Sequence, residues 1–302
     1  KELACFNVHA VDLITANGER IHANKKSHAE LFWAARGAGP AFCAVATKFY
    51  LDLFPMPGAI TSSTYIYTMD GLDSVIEWLE GYRSHQDPKI ELTVIFVTDE
   101  EADSSAPDHG RQFIVSAVCF ADNEEEAKQL LGEMAKGAPR MDRIHGNEYQ
   151  SRSMQSLLAA SKAVIPERHA VDTLWTGHTE KSLRVIAEHF MDAPSAGTHV
   201  FANFRATPKL TTDAAYSLIA PMFIISSTTW ADTKDDAACL RWSDALMEKL
   251  NLYNEGAYIN ETDFMRYPER GRQCFTPTSL SRLKAVCEHY DPMGMFSSPF
   301  EL

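Results

Sequence analysis

The sequence lacks the usual markers of metal, phosphate and serine chemistry. None of its six cysteines (Cys5, Cys43, Cys119, Cys239, Cys274, Cys287) stands in a C-x-x-C pair, and no histidines flank them at zinc spacing. No metal site is therefore expected. Several cysteines lie in apolar runs such as "VSAVCFA" and "AACL", which favours free buried thiols over a disulfide framework. There is no H-E-x-x-H and no G-x-S-x-G. Basic residues are short: 28 Lys and Arg face 41 Asp and Glu, a formal net charge of -13. A nucleic-acid partner needs clustered cations, so none is expected, and a polybasic membrane surface is disfavoured too. No apolar run is long enough to cross a bilayer. The opening "KELACFNVHAVDLITANG" has no signal-peptide layout and reads as strand interior rather than as a leader; this tells little about the compartment, which stays unknown, with the cytoplasm favoured.

What is present is globular in kind. Hydrophobic residues make up 45% and charged residues 23% of 302, enough for a sizeable core in one large or two ordinary domains. The β-branched run Val8–Leu13, the turn pair Asn17-Gly18 and the alternating "ERIHA" predict a hairpin over 8–23. "SHAELFWAARG" predicts a short helix, with Ser27 as N-cap, Glu30 three residues on and Gly37 closing it. "AFCAVATKFYLDLFP" reads as one long strand stopped by Pro55 and Pro57.

Further strands are predicted at "AITSSTYIYT", "IELTVIFVT", "RQFIVSAVCFA", 167–175, 197–206 and 220–228. Amphipathic helices are predicted at 70–85, over "DNEEEAKQLLGEMAKG", at 150–160 and 178–190, and over "DTKDDAACLRWSDALMEKLN" and "TSLSRLKAVCEHY". "AYIN" reads as a short strand. Asp99–Gly110 reads as an acidic, solvated loop. Consecutive strands interspersed with helices predict an α+β fold, a largely antiparallel sheet with helices on one face.

A few features are candidates for chemistry. "RGAGP" has no Lys-Ser/Thr and does not sit between a strand and a helix, so a helix-to-strand turn is its simplest reading. His9, His22 and His28 read as surface residues of the hairpin. In "GAYINETDF", alternation puts Tyr258 and Asn260 on one face, with Glu261 next to them. A phenol, an amide and a carboxylate at a strand end suit acid–base chemistry or the clasping of a heteroaromatic ring; an ordinary strand end is the plainer reading. His199, Phe201, Asn203 and Arg205 share a face of "HVFANFRA", which suits either a pocket lining or a solvent-facing sheet.

Two separated stretches carry a resemblance. "VDLITANGERIHANKKSHAELFWAARGAGPAFCAVATKFYLDLFPMP" resembles the closing part of the PCMH-type FAD-binding domain of the berberine-bridge-enzyme-like FAD-linked oxidases, in the vanillyl-alcohol oxidase superfamily. "AYINETDF" and "SRLKAVCEHYDPMGMF" are similar to that family's Y-x-N-x-x-D strand and its tail. The resemblance implies a C-terminal remnant of the flavin domain at 1–57, an antiparallel-sheet substrate domain covered by helices at 58–256, and a return to the flavin domain at 257–302. It implies that the larger part of the flavin domain belongs upstream, as a preceding segment, as a separate chain, or as a half that was lost. The phosphate loop and the residue joined covalently to flavin would lie there, not in this chain.

By the same resemblance, the activity is hydride transfer from a small organic substrate (a sugar, alkaloid, phenolic or polyketide-like compound) to FAD, with O2 as acceptor. Asn7, Val8 and Asn260 fall at cofactor-contacting positions. Glu261 falls where relatives carry a catalytic base, beside Tyr258, while Phe201, Asn203 and Arg205 fall on the substrate strand. Cys43, Ala44 and Ser279 depart from the pattern, and Ala44 puts a Cβ where relatives have glycine. A flavin-free binding protein or redox-neutral enzyme of the same fold is the alternative. If residues 1–57 stand without a partner, apolar strand surface is expected to be exposed.

Overall fold

The computed structural model describes residues 3–102, 108–160, 168–206 and 213–302. Its strands form two sheets, antiparallel throughout. The smaller holds β1 (Val8–Ile14), β2 (Arg20–Asn24) and β3 (Val45–Leu51) in the order β2-β1-β3. β1 and β2 form the expected hairpin around Asn17-Gly18, with Val11, Leu13, Ile21 and Ala23 buried.

Helix α1 (Ala29–Ala34) follows, but Ser27 does not cap it. The Asn24 carboxamide oxygen accepts from the amides of Lys26 and Ser27 at 2.8 and 3.1 Å. That ties Ser27 into the preceding turn, and α1 starts after His28, which is left-handed at φ 49. The long strand expected from Ala41 onward is also shorter. Gly39–Ala41 is a 3-10 turn, where Pro40 has no amide to donate, and only Val45–Leu51 pairs with β1. β3 is an edge strand with apolar side chains in the open: Val45, Phe49 and Leu51 are each about half exposed.

The larger sheet has seven strands: β4 (Ala59–Thr68), β5 (Ile90–Thr98), β6 (Arg111–Ala121), β7 (Arg143–Arg152), β8 (Arg168–Thr176), β9 (His199–Phe204) and β10 (Met222–Trp230). Their order is β7-β4-β6-β5-β9-β10-β8. β7 escapes the sequence reading. "RIHGNEYQSR" has little apolar alternation because it is an edge strand held to β4 by backbone pairing, with most side chains in water. The helix expected at 150–160 is consequently only Met154–Ala160 (α4).

Helices α2 (Leu72–Arg83), α3 (Glu124–Ala135), α5 (Thr179–Phe190) and α6 (Asp236–Leu250) cover one face of this sheet. Their buried positions explain why. In α5, Leu183, Ile186, Ala187 and Phe190 repeat at helical spacing and meet Phe96, Val200 and Ala202 of the sheet. Asn123 caps α3 by accepting from Glu126 N at 2.9 Å. Among the described residues the opposite face carries no helix layer. Its residues, among them Thr93, Ile95, Phe201, Asn203, Phe223 and Ile225, are only half-buried.

The two ends of the chain share a core. Leu13, Phe32 and Ala41 pack with Ile259, Phe275, Leu283 and Phe300, bringing α7 (Pro277–Tyr290) beside α1. Arg282 of α7 grips Glu30 with two 2.8 Å bonds and lies over the Trp33 ring. Of the acidic loop, residues 103–107 lie outside the described residues. His9, His22 and His28 are exposed as expected, and all six cysteines are free.

Candidate functional site

The ends of the chain meet the open face of the large sheet around residues 256–262. "AYIN" is not a strand here. The residue before it, Gly256, makes an isolated bridge with Trp175 (Trp175 N to Gly256 O at 2.7 Å, Glu255 N to Trp175 O at 2.8 Å), and the chain then turns. The reason is that its polar backbone finds other partners. Ala257 N donates to Gln273 O, Tyr258 N to Thr173 Oγ1 at 3.0 Å, and Glu261 N back to Tyr258 O. The turn keeps the expected neighbours together by another route: Asn260 Nδ2 donates to the Tyr258 hydroxyl at 3.0 Å.

Gly39, from "RGAGP", backs this turn. Its φ is +55, and a Cβ added there would lie 2.6 Å from Ile259 Cγ1 and 3.0 Å from Asn260 Oδ1. The glycine motif is thus a packing device that lets two distant segments touch. Gly37 serves the same end against Tyr216, whose backbone N a Cβ would approach to 2.2 Å.

Aromatic rings join this corner to the large sheet. Tyr258 stands edge-on to Tyr216 and Phe223, with centroids 6.0 and 5.7 Å away. Phe223 lies 4.6 Å from Trp175, and Tyr216 lies 6.1 Å from Phe6. Phe223 is also in register with Asn203, whose amide donates to Thr93 Oγ1 at 3.0 Å and Glu91 Oε1 at 3.3 Å. The site is therefore a wall. Tyr258, Asn260 and Glu261 form one end, Phe223 the middle, and Phe201, Asn203, Thr93 and Glu91 the sheet side.

The electrostatics are modest. Desolvation raises the Glu261 carboxyl above the ordinary carboxylate range although its surface is open to solvent. Exposure limits what that rise means for stability. Burial lowers His199, against a hydrogen bond to the Gly197 carbonyl, favouring the neutral ring. Burial raises the Tyr216 phenol strongly, so it stays protonated.

The remaining predicted residues sit apart from this wall or only reach it. Asn7 precedes β1. Its carbonyl accepts from Asp52 N at 2.8 Å and its amide donates to Leu3 O, so both groups are engaged. Val8 is buried in the shared terminal core. Arg205 follows β9, its N donating to Pro221 O, and its charge reaches the Tyr216 phenol. The sequence reading missed Phe223, Phe6 and Glu91. Alternation in β10 (Phe223, Ile225, Ser227 on one face) was the available signal for the first. Among the described residues no group of three or more His, Cys, Asp and Glu could hold a metal, and no helix is long and apolar enough to cross a membrane.

An antiparallel sheet helical on one face, whose open face meets a terminal unit built from both ends of the chain, is the fold of berberine-bridge-like flavoenzymes. BBE-like 1 from Physcomitrella patens superposes with a TM-score of 0.76 at 13% identity, over 98% of this chain and 65% of that one. No protein-family profile matches. By sequence the chain is similar to FAD-linked oxidoreductases. It is 25% identical to ptmO of Penicillium ochrochloron over 293 residues and to penO of Penicillium crustosum over 301 residues. Each alignment takes 96% of this chain, which spans only 63% of either relative's length. FAD is the cofactor those names supply.

The residues present suit one part of that cofactor. The exposed Asn260 and Glu261 lie beside Tyr258, whose ring stands edge-on to Phe223, and an amide and a carboxylate at an aromatic corner fit a planar ring with polar edges. One buried donor near this corner, Arg36 Nη1, has no acceptor among the described residues. For the phosphates, "RGAGP" opens into a 3-10 turn rather than a helix N-terminus and makes no cradle.

Proposed function

We propose that this chain supplies the substrate side of an FAD-dependent oxidase site that acts on a small organic molecule. The observation that carries the reading is the corner where Gly39, Asn260 and Glu261 meet the aromatic wall of the large sheet. Chain termini and open sheet face converge there, and the exposed groups are the ones acid–base work requires. In this reading residues 58–256 are the substrate unit, and 1–57 with 257–302 form part of the flavin-binding unit. The half-exposed apolar side chains of β3 support the view that further polypeptide covers that edge and carries the phosphate cradle.

When bound, FAD supplies a hydride acceptor, with O2 as the final oxidant. The chain's own residues do the rest. Glu261 takes the proton of the substrate's hydroxyl or amine as the hydride leaves. Asn260 offers its carboxamide to a polar ring edge, and the Tyr258 hydroxyl fixes that amide's orientation. Phe223 and Phe201 present apolar faces to the substrate, while Asn203 and Arg205 offer donors at its far end. Sugars, alkaloids, phenolics and polyketide-like compounds all suit such a mixed surface.

FAD titration into the purified protein, read by quenching of flavin fluorescence, tests this. Saturable quenching that Asn260→Ala weakens supports the reading. A protein that takes up no FAD, alone or with the flavin-domain polypeptide added, overturns it.

A further inference from the structure

Four of the six cysteines are isolated, but two meet across the shared terminal core. Cys43 follows the Gly39 turn, and Cys287 sits on the inner side of α7. Their side chains line one cavity of about 220 Å³, together with Phe42, Lys284 and Asp291. Cys287 Sγ donates to Ala41 O at 3.6 Å, which aims the thiol at the turn that carries Cys43. The two thiols also interact directly. Each is the largest influence on the other's titration, Cys287 lowering the Cys43 thiol and Cys43 raising the Cys287 thiol. Cys43 is buried, but Cys287 is partly open, so small reagents reach the pair through the cavity.

We propose that Cys43 and Cys287 form a peroxide-oxidisable dithiol that closes into a disulfide and staples α7 to the Gly39 turn. One thiolate attacks a peroxide oxygen and breaks the O–O bond, giving a sulfenic acid and, with a proton, water. The second thiol displaces the sulfenic oxygen as a second water and forms the S–S bond. Two thiols and one H2O2 become one disulfide and two waters, so sulfur is oxidised and peroxide reduced. The bond would fix to α7 the segment whose Gly39 touches Asn260. The site is independent of the flavin reading, because it uses only this chain and added peroxide.

The test treats the native protein with low hydrogen peroxide, alkylates under denaturing conditions and maps the peptides by mass. The expected result is one cross-linked Cys43–Cys287 peptide pair, lighter by two hydrogens and restored by dithiothreitol, with the other four cysteines alkylated. Oxidised protein should also melt at a higher temperature, and Cys43→Ser or Cys287→Ser should abolish both effects. Should either variant fail to fold, the peptide map of the unaltered chain decides alone. Full alkylation of both cysteines after peroxide, or a cross-link to any other cysteine, overturns the proposal.

Discussion

Arg270 and Asp172 form an ion pair in the protein interior, their side chains only 12% and 6% exposed. The pair ties the segment after Gly256 to β8. The guanidinium also donates to Thr173 O at 2.8 Å, and the carboxylate also accepts from Thr173 N at 2.8 Å. Through Thr173, whose hydroxyl accepts from Tyr258 N, this pair sets the height of the candidate site above the sheet.

Breaking that pair on one side should be costly. Arg270→Met leaves the Asp172 carboxylate buried without its cation, and removing one partner of a buried pair costs about 3–5 kcal/mol. Urea unfolding should show that loss, and replacing both partners by apolar residues of similar volume should recover much of it. Equal loss in the double variant would mean that packing, not charge, is what the site needs.

Gly39→Ala should separate stability from binding. The left-handed backbone costs an alanine about 1 kcal/mol, and its Cβ meets Ile259 and Asn260 side chains. The expected outcome is a modest fall in melting temperature together with a large loss of FAD quenching, as Asn260 is pushed off its place. A normal FAD titration would mean that Asn260 lies outside the cofactor contact.

Strong local signals made most of the fold legible. Asn17-Gly18 closes the hairpin, Asn123 caps α3, and the spacing of Leu183, Ile186 and Phe190 marks α5. Where the sequence misled, a tertiary partner had decided the outcome. β7 is polar because it is an edge strand paired with β4 alone, most of its side chains in water, and Ala257–Asn260 turns rather than extends because Gln273 and Thr173 take the amides of Ala257 and Tyr258. The residues of the corner could be named from motifs at both ends, Gly39 and Asn260 being more than two hundred positions apart. Their contact could not, and neither could Phe223, since long-range proximity leaves no periodic trace.

Thiol labelling should divide the buried cysteines from the surface. Cys119 and Cys274 are buried, and desolvation pushes them up to about 11 and about 12. The thiolate is the nucleophile, so at mildly alkaline pH both should stay unmodified by iodoacetamide in the native protein and react only on unfolding. Folding favours these neutral thiols, so their contribution is complete below the unfolded-state pKa. It is lost as pH rises through the folded one, and stability should decline in strongly alkaline solution. Early labelling of either residue would show local opening of its sheet or loop.

Glu261→Gln probes the chemistry most directly. If the carboxylate takes the substrate's proton, turnover should fall by about 10²–10⁴-fold while FAD content is unchanged, because the amide keeps the shape. Desolvation raises the Glu261 pKa, so the acid limb of kcat/KM in the unaltered enzyme should lie above an ordinary carboxylate and vanish in the variant. The raised pKa also means that the fold favours the neutral form. Its stabilising effect is complete below the unfolded value and fades as pH climbs through the folded one, so Gln should cost no stability near neutrality. A variant with normal turnover and an unchanged acid limb would take Glu261 out of the mechanism.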